Sequence, residues 1–291
     1  LLLLNDRLLK FPLDPEYARM RSTSSNTQPV RNTEMKNKVG DNFVEAFRNY
    51  CSVSHFDFSD DLIRRFITCL MTKPFVLLSG VSGTGKTKIA QLFADFVSSG
   101  DGRYLNFISV RPDWDDSRGL FGYHNIIAGV YHSTGFIDLL LAAAEDSENP
   151  YFVILDEMNL AKTEHYFSDV LSVLESRRWY GDEMESEKIR LHSHPAALYT
   201  DLDGKGKEIP QEIEIPRNLY IVGTVNIDET THSFSPKVLD RASVIEFSEI
   251  DIERYLGSGS AKGAVSGEKK ISEGMLSFLT HDGDFIMKKP T

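Results

Sequence analysis

The sequence is poor in cysteine, has no long hydrophobic run and carries no excess of basic residues. Its two cysteines, Cys51 and Cys69, do not form a Cys-x-x-Cys pair, which fits a reducing compartment without a disulfide framework. No apolar stretch approaches the ~18–20 residues of a membrane-spanning helix, and the leucines at positions 1–4 are followed at once by polar residues. We therefore expect a cytoplasmic chain with no membrane partner.

The charge balance is acidic. A formal net charge of −11 at pH 7 argues against a uniformly basic surface of the kind that binds nucleic acid. It leaves open a local basic patch, or nucleic acid that is carried by a partner. With 291 residues, of which 41% are hydrophobic and 26% charged, the chain is long enough to bury a sizeable core in one large or two smaller domains.

Apolar segments of strand length alternate with segments of helical periodicity through most of the chain. Strands are predicted at residues 75–78, 104–110, 151–155, 219–224 and 243–247. Helices are predicted at residues 59–71, 86–97, 118–123, 134–145, 163–175 and 235–242, and a further helical pattern begins at Asn42. Because such alternation is typical of parallel sheets, we predict an α/β fold whose parallel sheet is flanked by helices on both faces.

Composition divides the chain into three parts. Residues 1–40 are predicted to form a poorly structured N-terminal arm, residues 41–256 the folded domain, and residues 257–291 a C-terminal tail. Within the domain, residues 180–217 are acidic and rich in turn residues, and residues 212–215 alternate between glutamate and isoleucine. We interpret this segment as an acidic insertion that carries a hairpin.

Residues 80–87 match the pattern G-x-x-x-x-G-K-[ST] and lie between a predicted strand and a predicted helix. This segment, which we call the P-loop, consists of Gly80, Val81, Ser82, Gly83, Thr84, Gly85, Lys86 and Thr87. Its glycines allow backbone N–H groups to approach phosphate oxygens, and the following helix adds the positive end of its dipole. Lys86 can reach the β- and γ-phosphates, and the Thr87 hydroxyl can ligate Mg²⁺. The sequence therefore predicts a nucleoside triphosphate site.

Two carboxylates follow a second predicted strand. Asp156 and Glu157 come directly after the apolar run at residues 151–155, which places them at the carboxyl edge of a parallel sheet, where ligands bind in open α/β folds. There Asp156 would hold Mg²⁺ and Glu157 would polarise the attacking water. The alternative is a pair of acidic residues that only caps a helix N-terminus.

Asn226 and Arg241 are the remaining candidates for the chemistry. Asn226 stands at the tip of the predicted strand 219–224, where its amide can bond the γ-phosphate or orient the water; otherwise it is a turn residue. Arg241 lies near the short predicted helix 235–242, and its guanidinium can neutralise charge on a transferred phosphoryl group. Taken alone, Arg241 is better explained as a surface salt-bridge residue.

Three further residues have weaker interpretations. His192 and His194 could be a metal pair, but no cysteine or carboxylate stands at ligand spacing, so we expect both to be solvated loop residues. Trp114 follows a basic residue in the loop 111–116 and could stack on a base, or it could simply pack that loop onto the fold.

Four of these stretches together resemble the AAA+ family of P-loop NTPases. They are the P-loop as Walker A, residues 153–159 as Walker B, residues 224–226 as sensor 1 and residues 235–241 as the arginine-finger element. The stretches 156–161 and 111–114 are most similar to the McrB branch, the motor subunits of McrBC-type modification-dependent restriction systems. The resemblance covers about residues 60–256.

The resemblance implies more than the motifs show by themselves. It implies a hexameric ring with active sites between subunits, in which Arg241 would act in the neighbour's site. It implies Mg²⁺ as cofactor and GTP, or else ATP, as substrate, and the chain contains no Asn-Lys-x-Asp motif of small GTPases. It also implies an McrC-like nuclease subunit as partner, with DNA bound through the complex or through a separate domain.

Two features depart from the family pattern. The family's Asn-Thr-Ala-Asp signature is here Asn226-Ile227-Asp228-Glu229, so either Asp228 or Glu229 stands for the family aspartate. No full helical lid is evident after Tyr255, which predicts a partial or missing lid.

Three functions compete at this point. The first is an AAA+ motor, a GTPase by resemblance, that powers DNA translocation or cleavage in an McrBC-like restriction and anti-phage complex. The second is a MoxR-like or dynein-related AAA+ ATPase that acts as a chaperone and remodels protein partners. The third is an assembly switch that binds nucleotide without hydrolysing it, against which the Asp156-Glu157 pair argues.

Overall fold

The computed structural model describes residues 43–98, 100–180, 183–193, 197–200, 206–227 and 232–247, together with two short strands at Thr280–His281 and Asp284–Phe285. The predicted N-terminal arm and most of the predicted tail lie outside the described residues. Within the described residues, no helix is both long and apolar enough to span a bilayer.

The described part of the chain contains eight α-helices, fifteen strands and two short 3₁₀ helices, Gly102–Tyr104 and Met158–Leu160. The helices are α1 (43–53), α2 (Asp60–Thr72), α3 (Lys86–Val97), α4 (Arg118–Phe121), α5 (Gly135–Glu145), α6 (Thr163–Tyr166), α7 (Ser168–Ser176) and α8 (Pro236–Leu239). The strands are β1 (Phe75–Gly80), β2 (Leu105–Ser109), β3 (Tyr123–Asn125), β4 (Val130–His132), β5 (Tyr151–Asp156), β6 (Arg178–Tyr180), β7 (Glu183–Glu185), β8 (Ile189–Arg190), β9 (Ala197–Thr200), β10 (Gly206–Ile209), β11 (Glu212–Ile213), β12 (Leu219–Asn226), β13 (Ser243–Phe247), β14 (Thr280–His281) and β15 (Asp284–Phe285).

Five strands form the central sheet in the order β13-β1-β12-β5-β2, and every neighbouring pair is parallel. The side chains of each inner strand point alternately to the two faces of the sheet, and each face is covered by its own hydrophobic cluster. Phe75 and Leu77 of β1 belong to one buried cluster, whereas Val76 and Leu78 belong to the other. A strand buried on both faces needs a continuous apolar run, which is why these segments stood out in the sequence.

Helices cover both faces of the sheet, which confirms the predicted α/β class. α1, α2 and α3 pack on one face, where Phe93 meets Phe47, Phe66 and Phe152 edge-on at ring-centroid distances of 5.2, 5.3 and 5.9 Å. α5, α6 and α7 pack on the other face. Edge-to-face aromatic contacts of this kind add stabilisation beyond the apolar area they bury.

The helix predicted at residues 163–175 is two helices, and that prediction was wrong in this respect. Phe167 interrupts it with φ −114° and ψ 3°. Tyr166 and Phe167 are both fully buried; the Tyr166 hydroxyl donates to the Met158 carbonyl at 2.9 Å, and the Phe167 ring lies 5.2 Å from that of Phe75. Consecutive residues of one regular helix point ~100° apart, so the break allows both rings to enter the core.

A second sheet, in the order β10-β9-β4-β3, lies outside the central one. It combines strands of the 180–217 insertion with the hairpin β3–β4, which the sequence analysis did not predict. The expected alternating segment is present as β11, which pairs with β8 through Ile213 opposite Ile189. β8 and β11 are not consecutive, so this pair is not a hairpin; the consecutive antiparallel pairs in this region are β6–β7 and β9–β10.

Candidate functional site

The register of the central sheet brings the predicted site residues to one edge. Gly80 at the end of β1 pairs with Asn226 at the end of β12. On the other side of β12, Gly223 pairs with Leu155, the residue before Asp156. The carboxyl ends of three neighbouring parallel strands therefore carry the P-loop, the carboxylate pair and the asparagine.

The P-loop backbone needs glycine at two positions for different reasons. A Cβ on Gly80 would lie 2.6 Å from the carbonyl oxygen of Phe247 on β13, so the close approach of the two strands excludes a side chain. Gly85 precedes α3 with φ 89°, in the left-handed region that favours glycine. The loop can therefore turn directly into the helix N-terminus and leave backbone N–H groups free for phosphate.

Lys86 lies folded into the P-loop. Its side chain is 4% exposed, and its ammonium donates to the carbonyls of Gly80 at 2.9 Å and Val81 at 2.6 Å. Burial lowers the pKa of Lys86, while Asp156 and Glu157 oppose that shift. The loop thus holds a desolvated cation at the place where the triphosphate is expected.

Asp156 is held by two hydroxyl groups. Its Oδ1 accepts from Thr87 Oγ1 at 2.8 Å and from Thr224 Oγ1 at 2.7 Å. Mg²⁺ prefers oxygen ligands and is usually bound by one or two carboxylates or hydroxyls together with phosphate oxygens. The adjacent oxygens of Thr87 and Asp156 are of the kind that Mg²⁺ prefers, and their role as ligands stays a prediction.

Glu157 and Asn226 are in direct contact. Asn226 Nδ2 donates to Glu157 Oε1 at 2.8 Å. The Glu157 backbone is left-handed, with φ 54° and ψ 49°, and its N–H donates to Thr224 Oγ1 at 2.9 Å. A non-glycine residue in this region carries strain that surrounding contacts must offset, and such residues cluster at functional sites. Their proximity was expected from the strand tips; their catalytic roles stay predictions.

Two residues that the sequence analysis gave no role support this arrangement. Thr224 bonds both Asp156 and the Glu157 backbone through one hydroxyl. Asn159 is 3% exposed, and its Nδ2 donates to the Asn226 carbonyl at 2.7 Å. Both residues lie inside motif stretches, but neither carries a charge, so composition alone gave no signal for them.

Arg241 lies away from this edge. It precedes β13, whose Ser243 pairs with Val76 near the start of β1, whereas Phe247 pairs with Gly80. A five-residue strand at ~3.3 Å per residue therefore separates Arg241 from the P-loop by roughly 15 Å. Its guanidinium instead bonds Glu175 and the carbonyl of Lys237. Arg241 therefore does not contact the P-loop of its own chain.

The structure shows that the expectation for His192 was wrong, and it distinguishes between the two interpretations of Trp114. His192 is not solvated: it is 8% exposed, and its Nε2 donates to the Ile209 carbonyl at 2.9 Å, so burial in the insertion overrides its polar sequence context. Trp114 packs onto the fold, with its ring 5.3 Å from that of Tyr166.

His194, Asp228 and Glu229 lie outside the described residues. No group of three or more His, Cys, Asp or Glu side chains suited to a metal occurs in the described ranges.

Comparisons with known proteins agree with these motifs. The family model of the AAA domain (dynein-related subfamily) matches residues 75–242, which is more than half of the chain. A curated relative, the EcoKMcrB subunit of a type IV methyl-directed restriction enzyme from Escherichia coli strain K12, is 26% identical over 193 residues. That alignment covers 66% of this chain and 38% of the relative, so the chain spans well under half of that protein.

Two solved structures are also similar at low identity. A putative ATPase from Cytophaga hutchinsonii is 16% identical with a TM-score of 0.37, covering 76% of this chain and 58% of that chain. NtrX from Brucella abortus in complex with ATP is 15% identical with a TM-score of 0.35, covering 65% of this chain and 36% of that chain. By the extent of the family match and by its parallel sheet, the chain is a member of the dynein-related AAA domain family, an AAA+ module similar to McrB.

Proposed function

We propose that this AAA+ module hydrolyses a nucleoside triphosphate, with Glu157 as the general base. The observation that carries the proposal is the Glu157–Asn226 hydrogen bond, 2.8 Å long, at the sheet edge that also bears the P-loop. A carboxylate fixed beside a phosphate cradle can accept the proton of an attacking water. The oxygen of that water then bonds the γ-phosphorus while the bond to the leaving diphosphate breaks.

The other residues of this edge bind and orient. The P-loop N–H groups and the N-terminus of α3 hold the phosphates, and Lys86 turns from the carbonyls of Gly80 and Val81 to the β- and γ-phosphate oxygens. Thr87 and Asp156 would hold Mg²⁺, which neutralises charge on those oxygens. Asn226 keeps the Glu157 carboxylate facing the water.

Arg241 acts in a neighbouring subunit under this proposal. Its place at the opposite sheet edge excludes contact with its own P-loop, while a head-to-tail ring would bring it to the next one. A guanidinium supplied from a second subunit stabilises the charge of the transferred phosphoryl group. A hexamer is the ring size that the AAA+ resemblance implies.

For the biological role we favour a motor subunit of a restriction complex. Support comes from the E. coli relative, which is the subunit of a methyl-directed restriction enzyme. The McrB resemblance of the motifs further implies GTP rather than ATP as substrate, an McrC-like nuclease as partner, and hydrolysis that powers DNA translocation or cleavage. The second candidate is a chaperone ATPase that remodels proteins, favoured by the dynein-related description of the matching family.

The proposal is tested by turnover of GTP and ATP with the wild type and with Glu157→Gln. We expect Glu157→Gln to lower turnover roughly 10²-fold or more while it still binds nucleotide, because only the base is lost. Glu148→Gln, which changes an exposed loop carboxylate, should keep wild-type turnover. Undiminished hydrolysis by Glu157→Gln would reject the assignment of the base.

The two biological roles are separated by a second pair of measurements. Stimulation of turnover by DNA together with a nuclease subunit supports the restriction motor. Preference for ATP, with turnover that responds to a protein client and not to DNA, supports the chaperone.

A further inference from the structure

Arg241 borders a cavity of about 590 Å³ at the edge of the sheet opposite the P-loop. Six charged side chains line this cavity, and four of them are basic: Lys73, Arg177, Lys237 and Arg241, against the acidic Glu175 and Asp240. In a chain with a net charge of −11, this is a local concentration of positive charge. Such a surface attracts an anionic group from a partner.

Lys73 fixes the backbone on both sides of Arg241. The Lys73 ammonium donates to the carbonyls of Asp240 at 2.9 Å and Ala242 at 3.2 Å. Lys73 itself follows α2 directly, so the Arg241 backbone is tied to a helix that packs on the central sheet. Any movement that lets Arg241 reach a partner must therefore come from its side chain.

The Arg241 side chain is turned inward, where it donates to the Glu175 carboxylate and to the Lys237 carbonyl. It pairs with Glu175 at the end of α7, and it is 17% exposed while Glu175 is 66% exposed. The Arg241 Nε is buried and has no hydrogen-bond partner in the described part of the chain. The Glu175 carboxylate is mostly in solvent, which weakens the pair, and the buried Arg241 Nε–H without an acceptor is unfavourable. An anion that satisfies the guanidinium more fully can therefore displace Glu175.

From this geometry we infer that Glu175 acts as a latch: its carboxylate holds the Arg241 side chain in the inward position in the free subunit. The Glu175 carboxylate then competes with the nucleotide phosphate of a neighbouring subunit for the Arg241 guanidinium. The inference rests on the proposed trans role of Arg241. When a nucleotide-bearing neighbour docks on the basic cavity, its phosphate charge replaces the Glu175 carboxylate as the partner of Arg241. Glu175 is thus a positioning residue that suppresses hydrolysis until subunits assemble.

The inward position of Arg241 and its dependence on Glu175 can be tested without any enzymatic assay. Phenylglyoxal modifies accessible arginines, and peptide mass spectrometry measures the rate at each one. We expect Glu175→Gln to raise the rate at Arg241 about two- to five-fold, the range that loss of an ion pair with one solvent-exposed partner allows. The rate at Arg118, which pairs with Asp116, should not change. An unchanged rate at Arg241 would overturn the latch.

Turnover as a function of protein concentration tests the competition. We expect Glu175→Gln to reach half-maximal turnover at a several-fold lower protein concentration, and Glu175→Asp to behave more like the wild type. Glu214→Gln is the matched control, because it removes an exposed carboxylate that pairs with Lys188. In an Arg241→Ala background only weak residual turnover is expected, and Glu175→Gln should change neither that turnover nor its dependence on protein concentration, since the two residues are coupled.

The two proposals fail in different ways. If Glu175→Gln lowers turnover at every concentration, or acts equally without Arg241, the latch is rejected while hydrolysis stands. If Glu157→Gln and Arg241→Ala both leave turnover unchanged, the proposed function is rejected, whatever the modification rate at Arg241 shows.

Discussion

At the scale of single residues, the site depends on a few oxygen atoms at the ends of β5 and β12. Thr224 links the two strands, since its hydroxyl donates to Asp156 and accepts from the Glu157 backbone. These bonds hold one carboxylate toward the P-loop and the other toward Asn226. The strained backbone of Glu157 makes such support necessary, because nothing intrinsic to a glutamate favours φ 54°.

We predict that Thr224→Val lowers turnover by about 10- to 100-fold with little loss of nucleotide binding. The change keeps the shape of the side chain but removes both bonds, so the carboxylates lose their alignment rather than their identity. Steady-state kinetics and a fluorescent-nucleotide titration measure the two quantities. Thr68→Val is the control, because Thr68 is an exposed threonine of α2 that does not line the cavity at Arg241. Wild-type turnover in Thr224→Val would refute the supporting role.

A second prediction at this scale concerns Cys51, which is fully buried in α1. Burial, aided by Asp57, raises the pKa of the Cys51 thiol to about 12. Because the thiolate is the reactive form, a disulfide reagent at pH 8 should label Cys51 only after unfolding in urea. Mass spectrometry of the labelled peptides checks this, and rapid labelling in the native protein would show that α1 does not stay packed.

The residues of the candidate site could be predicted from the sequence where the ends of parallel strands bring motif residues together. Asp156, Glu157 and Asn226 each follow an apolar run, so their convergence followed from the parallel sheet. Thr224 and Asn159 could not be found in this way, because a neutral hydroxyl or amide inside a motif has no distinctive pattern. His192 was misjudged since its partner, the Ile209 carbonyl, comes from a strand that sequence periodicity did not define.

At the scale of elements, the break between α6 and α7 determines how one face of the sheet is filled. Phe167 stands at the break and packs against Phe75 of β1. The same break sets the direction of α7. Glu175 lies in the last turn of α7 and lines the cavity at Arg241. Hydrophobic periodicity predicted the helix but not the break, because both sides of it remain apolar.

We predict that Phe167→Ala lowers the free energy of unfolding by about 3–5 kcal/mol, since it leaves a cavity where a fully buried ring was. Urea unfolding followed by circular dichroism measures the change. Phe107→Ala, at a side chain that is 43% exposed on β2, should cost about 1 kcal/mol or less. Equal losses from the two variants would contradict the packing described for α6 and α7.

The hairpin β3–β4 and the short strands of the insertion show where sequence reasoning failed for elements. β3 and β4 have three residues each, too few for periodicity to identify. The pairing of β4 with β9 depends on contacts between segments far apart in the chain. The long buried strands, in contrast, were predicted to within a few residues because their apolar runs are continuous.

At the scale of the whole molecule, the two edges of the central sheet have different chemistry. The carboxyl edge carries the P-loop, Asp156, Glu157 and Asn226, whereas the opposite edge carries Arg241 and its basic cavity. Under the proposed mechanism, neither edge alone is a complete hydrolytic site. A head-to-tail ring would join the two edges of neighbouring copies, which is the arrangement that the AAA+ resemblance implies and that we propose.

The most direct test of this shared site is a mixing experiment with two inactive variants, Glu157→Gln and Arg241→Ala. Each variant alone should hydrolyse little nucleotide, because every interface lacks either the base or the guanidinium. In an equal mixture, up to about a quarter of interfaces would pair an intact Glu157 with an intact Arg241, so turnover should rise well above either variant alone. A mixture no more active than its components, or full activity of Arg241→Ala alone, would contradict the account.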